Sequence, residues 1–241
     1  MKNDCVKIAL WSGPRNISTA MMYSFANRSD TAVVDEPLFG YFLKQTGAWR
    51  PSRKEVLATM ETDPKKIIDS LLEPSTDMPV FFMKHMANQL VDLDLAFLDS
   101  FKNVVLIRDP KAVLLSYSKQ VEEPTLLDTA YKMQVDLIDH LNEVGTPFVV
   151  LNAKSVLLNP EGQLRTLCEE INIEFQSSML NWNAGPRKED GVWAKYWYDS
   201  VHESTGFRAY REKDEELPSN LNPLYDECME YYGKLECWQL E

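Results

Sequence analysis

The sequence predicts a three-layer α/β fold in which a mostly parallel sheet of about five strands is flanked by helices. Two observations carry that expectation. Short apolar runs rich in Val, Ile and Phe alternate with longer segments of helical period, the pattern of a parallel sheet covered on both faces. The length of 241 residues also suits one such unit with a large buried core, so a single domain over residues 1–241 is expected.

In chain order, the first run is Val6 to Trp11, and it passes through Ser12–Thr19 into Met21, Met22, Phe25 and Ala26 at helical spacing. The second is Thr31 to Val34. From Phe39 to Met78 the chain is too long for a plain crossover, so short helices are expected there, and Trp49, Arg50, Arg53 and Lys54 are candidates for a wall around an acceptor. Val80 to Met83 is the third run and Val104 to Ile107 the fourth, with Asp109 as a cap and Pro110 at the first position of the next helix. Ala130, Met133, Leu137 and Leu141 line one face of a helix that Gly145 stops, ahead of a fifth run from Pro147 to Leu151. Near the end, Asn222 as cap and Pro223 introduce a helix that packs through Leu224, Met229, Tyr232 and Leu235, and the acidic Glu212–Glu216 stretch reads as a solvated loop.

Composition narrows the function. Apolar residues make up 44% and charged residues 26%, a globular balance, and the 37 acidic against 25 basic side chains give a net charge of -12. That charge argues against nucleic acid and anionic membranes as partners, so an anionic ligand must be met by a local cluster of Arg and Lys. The start is too short and too soon interrupted for a signal peptide, no run approaches a membrane span, and a cytoplasmic location is expected. Cys5, Cys168, Cys228 and Cys237 are scattered, and the three histidines stand at no ligand spacing from them, so neither disulfides nor a metal are expected.

The chemistry is concentrated in two strand-to-helix turns. In Gly13-Pro14-Arg15-Asn16-Ile17-Ser18-Thr19 a P-loop-type turn aims backbone N–H groups and a helix N-terminus at one spot, with Arg15 as cation and the Ser18 and Thr19 hydroxyls as further donors for a phosphate. It is not a Walker A loop, because Ser18, Thr19 and Ala20 stand where that motif has Gly, Lys and Ser or Thr. The second turn is Ile107-Arg108-Asp109-Pro110-Lys111, followed by Ser116.

Taken together, the two turns resemble the PAPS-dependent sulfotransferases, where a first-strand loop holds the 5′-phosphosulfate and a strand ending in Arg-Asp-Pro or Arg-Asn-Pro, with a later Ser, holds the 3′-phosphate. Asn152–Pro160 is similar to the family's YEDMxxDP segment, and Arg187-Lys188-Glu189-Asp190-Gly191-Val192-Trp193 to its late RKGxxGxW loop. The resemblance implies PAPS as donor and PAP as product, with Arg15, Asn16, Ile17, Ser18, Thr19, Arg108, Ser116, Arg187 and Lys188 as cofactor-binding residues and no metal. It implies no acceptor, which the family recognises on variable loops. Ile17 and Glu189 stand where the family has glycines, Leu151 and Asn152 replace Tyr and Glu, and Ala20 takes the place of a tryptophan that stacks on adenine.

Sulfuryl transfer needs a base for the acceptor proton and positive charge on the leaving phosphate, which Arg15 is expected to supply with Lys84 or a later cation assisting. Two residues compete for the base at the carboxyl ends of neighbouring strands. Glu36 lies in an Asp-Glu-Pro turn of the type carbohydrate-acting members use, and His85 in Met83-Lys84-His85 resembles the KxH segment of the cytosolic branch with one residue missing. Glu36 is expected to be the base and His85 to orient the acceptor. Two alternatives stay open: a PAP-binding protein of this fold without catalysis, and a Mg-dependent phosphotransferase that uses Asp35 and Glu36 as a Walker B pair.

Overall fold

The computed structural model describes residues 5–240, so residues 1–4, where the segment weighed as a leader begins, lie outside the described residues. Five parallel strands form one sheet in the order β2-β3-β1-β4-β5: β1 Val6–Ser12, β2 Thr31–Asp35, β3 Val80–Met86, β4 Lys102–Ile107 and β5 Phe148–Asn152. The expected runs are the observed strands, each longer or shifted by a few residues. Helix α1 (Ser18–Ala26) follows β1, and the long crossover before β3 carries α2 (Phe39–Thr46), α3 (Arg53–Thr59) and α4 (Pro64–Leu72). After β4 come α5 (Pro110–Tyr117), α6 (Leu126–Thr129) and α7 (Tyr131–Val144), and after β5 come α8 (Ala153–Leu158) and α9 (Pro160–Glu170). Two short helices, α10 (Ala194–Trp197) and α11 (Asp199–His202), precede the last, α12 (Asn222–Glu236). None of the helices is long and apolar enough to cross a membrane among the described residues.

Alternate strand residues enter opposite layers, as the pleat requires. Ile8 and Leu10 of β1, Val104 and Leu106 of β4 and Phe82 of β3 face a layer built from Met21, Met22 and Phe25 of α1 and Leu164 and Leu167 of α9. Ala9, Trp11, Val105, Ile107 and Met83 face the other layer with Leu137, Ile138 and Leu141 of α7 and Tyr232 and Leu235 of α12. Each fully buried large side chain contributes on the order of 1.5–3 kcal/mol, and this double burial is what aligns the carboxyl ends of all five strands along one edge. A third cluster, in which Phe39, Phe42, Val56, Trp193 and Tyr198 meet, roofs that edge.

Two local expectations are corrected. Ala130 is not on the face of α7 but stands before it at φ 70°, where the chain turns from α6, so α7 begins at Tyr131. Asn222 is not a cap: it already has helical angles, and Leu221, at the end of a 3-10 turn over Ser219–Leu221, holds that place. Asp109 does cap α5, accepting from the Ala112 N–H at 2.9 Å, with Pro110 in the first turn.

Gly13 fixes how β1 leaves the sheet. A Cβ there would stand 2.8 Å from the Thr129 backbone carbonyl, so the loop and the α6–α7 junction can touch only because the side chain is absent. Gly13→Ala is expected to destabilise the fold by about 1–3 kcal/mol through this overpacking, read as a lower denaturant midpoint; an unchanged midpoint would show that the junction yields freely.

Candidate active site

A cavity of about 810 Å³ opens along the carboxyl edge of the sheet. Its floor is the β1–α1 loop. Arg15 takes a positive φ of 53°, and Asn16 anchors the loop by donating from its side chain to the Leu106 carbonyl at 3.0 Å and accepting from the Ile17 N–H at 2.9 Å. Ile17, at the N-cap of α1 with φ −91° and ψ 19°, needs no glycine, and its side chain packs into the apolar layer beneath. It carries no oxygen to cap the helix. The first-turn N–H groups of α1 are therefore left without a capping side chain, beside Ser18, Thr19 and Ala20 in the cavity wall, which is the arrangement an anion fits.

The second turn locks onto the first. Arg108, at the end of β4, donates from Nη1 to the Arg15 carbonyl at 2.6 Å, and Arg15 Nε donates to Ser116 Oγ at 2.9 Å. Arg15, Arg108 and Ser116 all line the cavity. Burial pushes both guanidinium groups below the usual arginine value, and for Arg15 the Arg108 charge adds to the effect. Two desolvated cations with neutral protein partners favour an anion between them.

At the other end stands a network of carboxylates. Lys84 donates to Asp35 Oδ1 at 2.9 Å, to Glu36 Oε1 at 2.6 Å and to the Tyr198 hydroxyl at 2.6 Å. Gln89 donates to Glu36 Oε2 at 2.7 Å, and Tyr198, itself accepting from Trp193 Nε1 at 3.1 Å, donates to Asp35 Oδ2 at 2.8 Å. Burial alone would lower the Lys84 ammonium, but Asp35 and Glu36 outweigh it and hold the group well above the usual lysine value. Burial raises the Asp35 carboxyl against the opposing pull of Lys84. The Lys84 ammonium thus bridges the two carboxylates that a Walker B reading would use. Glu36 lines the cavity at φ 43°, a strained backbone position for a non-glycine residue.

Three of the expected site residues stand elsewhere. His85 does not line the cavity. The two-residue period of β3 turns it to the opposite face from Lys84, where it is wholly buried and stacked on Trp11 with ring centroids 4.2 Å apart. Neither ring nitrogen has a hydrogen-bond partner among the described residues. Arg187 lies over the Tyr23 ring at 5.1 Å and 3.8 Å from Glu189, and the Lys188 side chain is 90% exposed beside the same carboxylate. The loop bends this way because Asp190 accepts from Tyr23, from the Arg187 N–H at 2.8 Å and faces His202 at 2.9 Å. Trp193, from the same motif, does reach the cavity, as do Phe39, Phe42 and Arg50 from the long crossover.

Sequence reasoning missed one wall of the cavity, the strap from Ser204 to Lys213, of which Phe207, Tyr210 and Lys213 are lining residues. It also missed Gln89, which stands just beyond the end of β3, and Tyr198, which lies between α10 and α11.

Among known proteins, the sulfotransferase domain family model matches residues 6–236. A curated relative from Arabidopsis thaliana, branched-chain-amino-acid aminotransferase-like protein 1, is 42% identical over 226 residues, which is 93% of this chain. The chain spans about two fifths of the length of the curated relatives it matches. The sulfotransferase domain of the Synechococcus PCC 7002 olefin synthase superimposes over 97% of this chain and 98% of its own with a TM-score of 0.57 at 14% identity. A mouse sulfotransferase solved with PAP does so over 92% and 82% with a TM-score of 0.54 at 13% identity, so these two likenesses are of fold.

The placement of His85 has a consequence for stability. Burial, and after it the Lys84 charge, push the imidazole down from 6.5 to about 3, so the folded protein keeps it neutral while the unfolded chain protonates it. Between these values the unfolded state binds the extra proton, and stability falls as pH falls, by about 1.4 kcal/mol per pH unit from this group. His85→Phe should flatten the dependence of unfolding free energy on pH in that window while leaving the protein as stable or more so at pH 7, since two unpaired nitrogens are removed. An unchanged slope would contradict the buried neutral imidazole.

Proposed function

We propose that this chain, which belongs to the sulfotransferase domain family, moves a sulfuryl group from PAPS to a hydroxyl or amine of a small-molecule, lipid or carbohydrate acceptor by in-line displacement. The observation that carries the reading is the polarity of one cavity. Arg15, Arg108, Ser116 and the open N-terminus of α1 converge at one part of it, and a carboxylate fixed by an ammonium and an amide stands at another.

PAPS, when bound, supplies an activated sulfuryl group whose bond to the phosphate oxygen breaks as an acceptor oxygen or nitrogen attacks. The residues present fit it. The N–H groups of Ser18 and Thr19, with their hydroxyls, would hold the phosphosulfate end, and Arg108 and Ser116 the 3′-phosphate, while the Ile17 N–H stays engaged by the Asn16 side chain. Arg15 sits between the two and stabilises the negative charge left on the departing phosphate. Glu36 takes the proton of the attacking group. Each of its oxygens already accepts one hydrogen bond, and each keeps a lone pair for the acceptor. Two carboxylates face a single ammonium in this cluster, so the proton that arrives on Glu36 brings it to neutrality. Phe39, Phe42 and Trp193 exclude water around the reacting atoms and give an acceptor an apolar surface to lie on.

Glu36→Gln is expected to cut transfer of labelled sulfate from PAPS to an acceptor extract by about 100-fold or more, with PAP affinity held within about twofold. Gln keeps the shape and loses the base. Near-normal transfer by this variant would remove Glu36 from the mechanism.

A further inference from the structure

The cation cluster has a third member. Lys213 lies on the strap that crosses above α5, and its Nζ stands 3.3 Å from the Ala112 carbonyl. Ala112 and Ser116 are four residues apart and share a face of α5, so this ammonium is held over the helix face that carries Ser116, just beyond the end of β4 where Arg108 stands. Lys213, Arg108, Arg15 and Ser116 line one cavity. The protein partners of the three cations are all neutral: the Ala112 carbonyl, the Arg15 carbonyl and the Ser116 hydroxyl. The nearby Glu215 carboxylate faces Lys119 at 3.7 Å. Burial first, and then the charges of Arg108 and Lys119, push Lys213 below the usual lysine value against the opposing pull of Glu215, with Arg15 adding a smaller push. Lys188, by contrast, points to solvent beside Glu189.

We propose that Lys213 is the ammonium that completes the 3′-phosphate site with Arg108 and Ser116, in the place the Arg187-Lys188 pair was expected to fill. The inference rests on the reading of PAPS as donor. The 5′ end is met by the phosphate loop and the α1 N-terminus; of the strap cations that line the cavity, Arg208, Arg211 and Lys213, it is Lys213 that contacts α5, through the Ala112 carbonyl. The strap thereby ties a segment that precedes α12 to the nucleotide, and it makes the strap a determinant of the choice between nucleotides with and without a 3′-phosphate.

Calorimetric titration of PAP and of AMP into the full chain tests this. Wild type should prefer PAP strongly. Lys213→Met should weaken PAP at least tenfold and AMP less than twofold, Lys213→Arg should recover most of the loss, and Lys188→Met should match wild type with both ligands. PAP affinity unchanged in Lys213→Met, or equal losses for PAP and AMP, would overturn the proposal while a wild-type preference for PAP left the donor reading intact. Wild type binding PAP and AMP alike would overturn both.

Discussion

The buried Lys84 ammonium organises the carboxylate end of the cavity. Its side chain is 2% exposed and its partner Asp35 1%, so the charge exists there only because two carboxylates and a phenol surround it. Asp35 and Lys84 are direct neighbours in register on β2 and β3, and Tyr198 reaches down from the roof to both. Removing the ammonium would leave two carboxylates facing each other in the interior, at a cost on the order of 3–5 kcal/mol. The Gly191 N–H donates to the same Asp35 at 3.2 Å, so the roof over residues 191–198 hangs on one carboxylate. Glu36 inherits its position from this arrangement. The ammonium and Gln89 hold the carboxylate on two sides, and the strain of its positive φ is sustained by those bonds.

The arginine-lined end of the cavity follows the opposite rule. A chain of net charge -12 gathers Arg15, Arg108 and Lys213 around one space, and the hydrogen-bond partners of these cations among the described residues are neutral, so the local charge runs against the overall charge. At one end charge is internally compensated and rigid; at the other it is left for a ligand. That division suits a reaction in which a polyanionic nucleotide must be held and an uncharged acceptor must lose a proton.

Most of the fold was legible because parallel strands buried on both faces read as apolar runs, and each of the five expected runs is a strand. Helix entries were less so. Asn222 and Ala130 have the residue types of a cap and a helix face, yet a preceding 3-10 turn and a left-handed junction displace them. In the site, Arg15 meets Ser116 and Arg108 meets the Arg15 carbonyl, so the two strand-to-helix turns are in contact. Ile17 looked like an obstacle because a glycine was expected, but the positive φ falls two residues earlier, at Arg15. The fate of His85 was legible in the missing residue of its motif, since adjacent strand residues face opposite layers. Lys213 was hidden by its neighbours: in the sequence around Glu212–Glu216 a lysine reads as part of a solvated acidic loop, and only the path of the strap brings it to α5.

The central claim is that one cavity transfers a sulfuryl group from PAPS, and the most direct measurement follows both products at once. The chain is incubated with PAPS carrying radiolabelled sulfur and a fractionated acceptor extract, while PAP release and label in the acceptor fractions are counted. The account predicts equal amounts of PAP and of label transferred to an organic acceptor. PAP released with the label recovered only as inorganic sulfate, or no PAP released in any fraction although PAP itself binds, would contradict it.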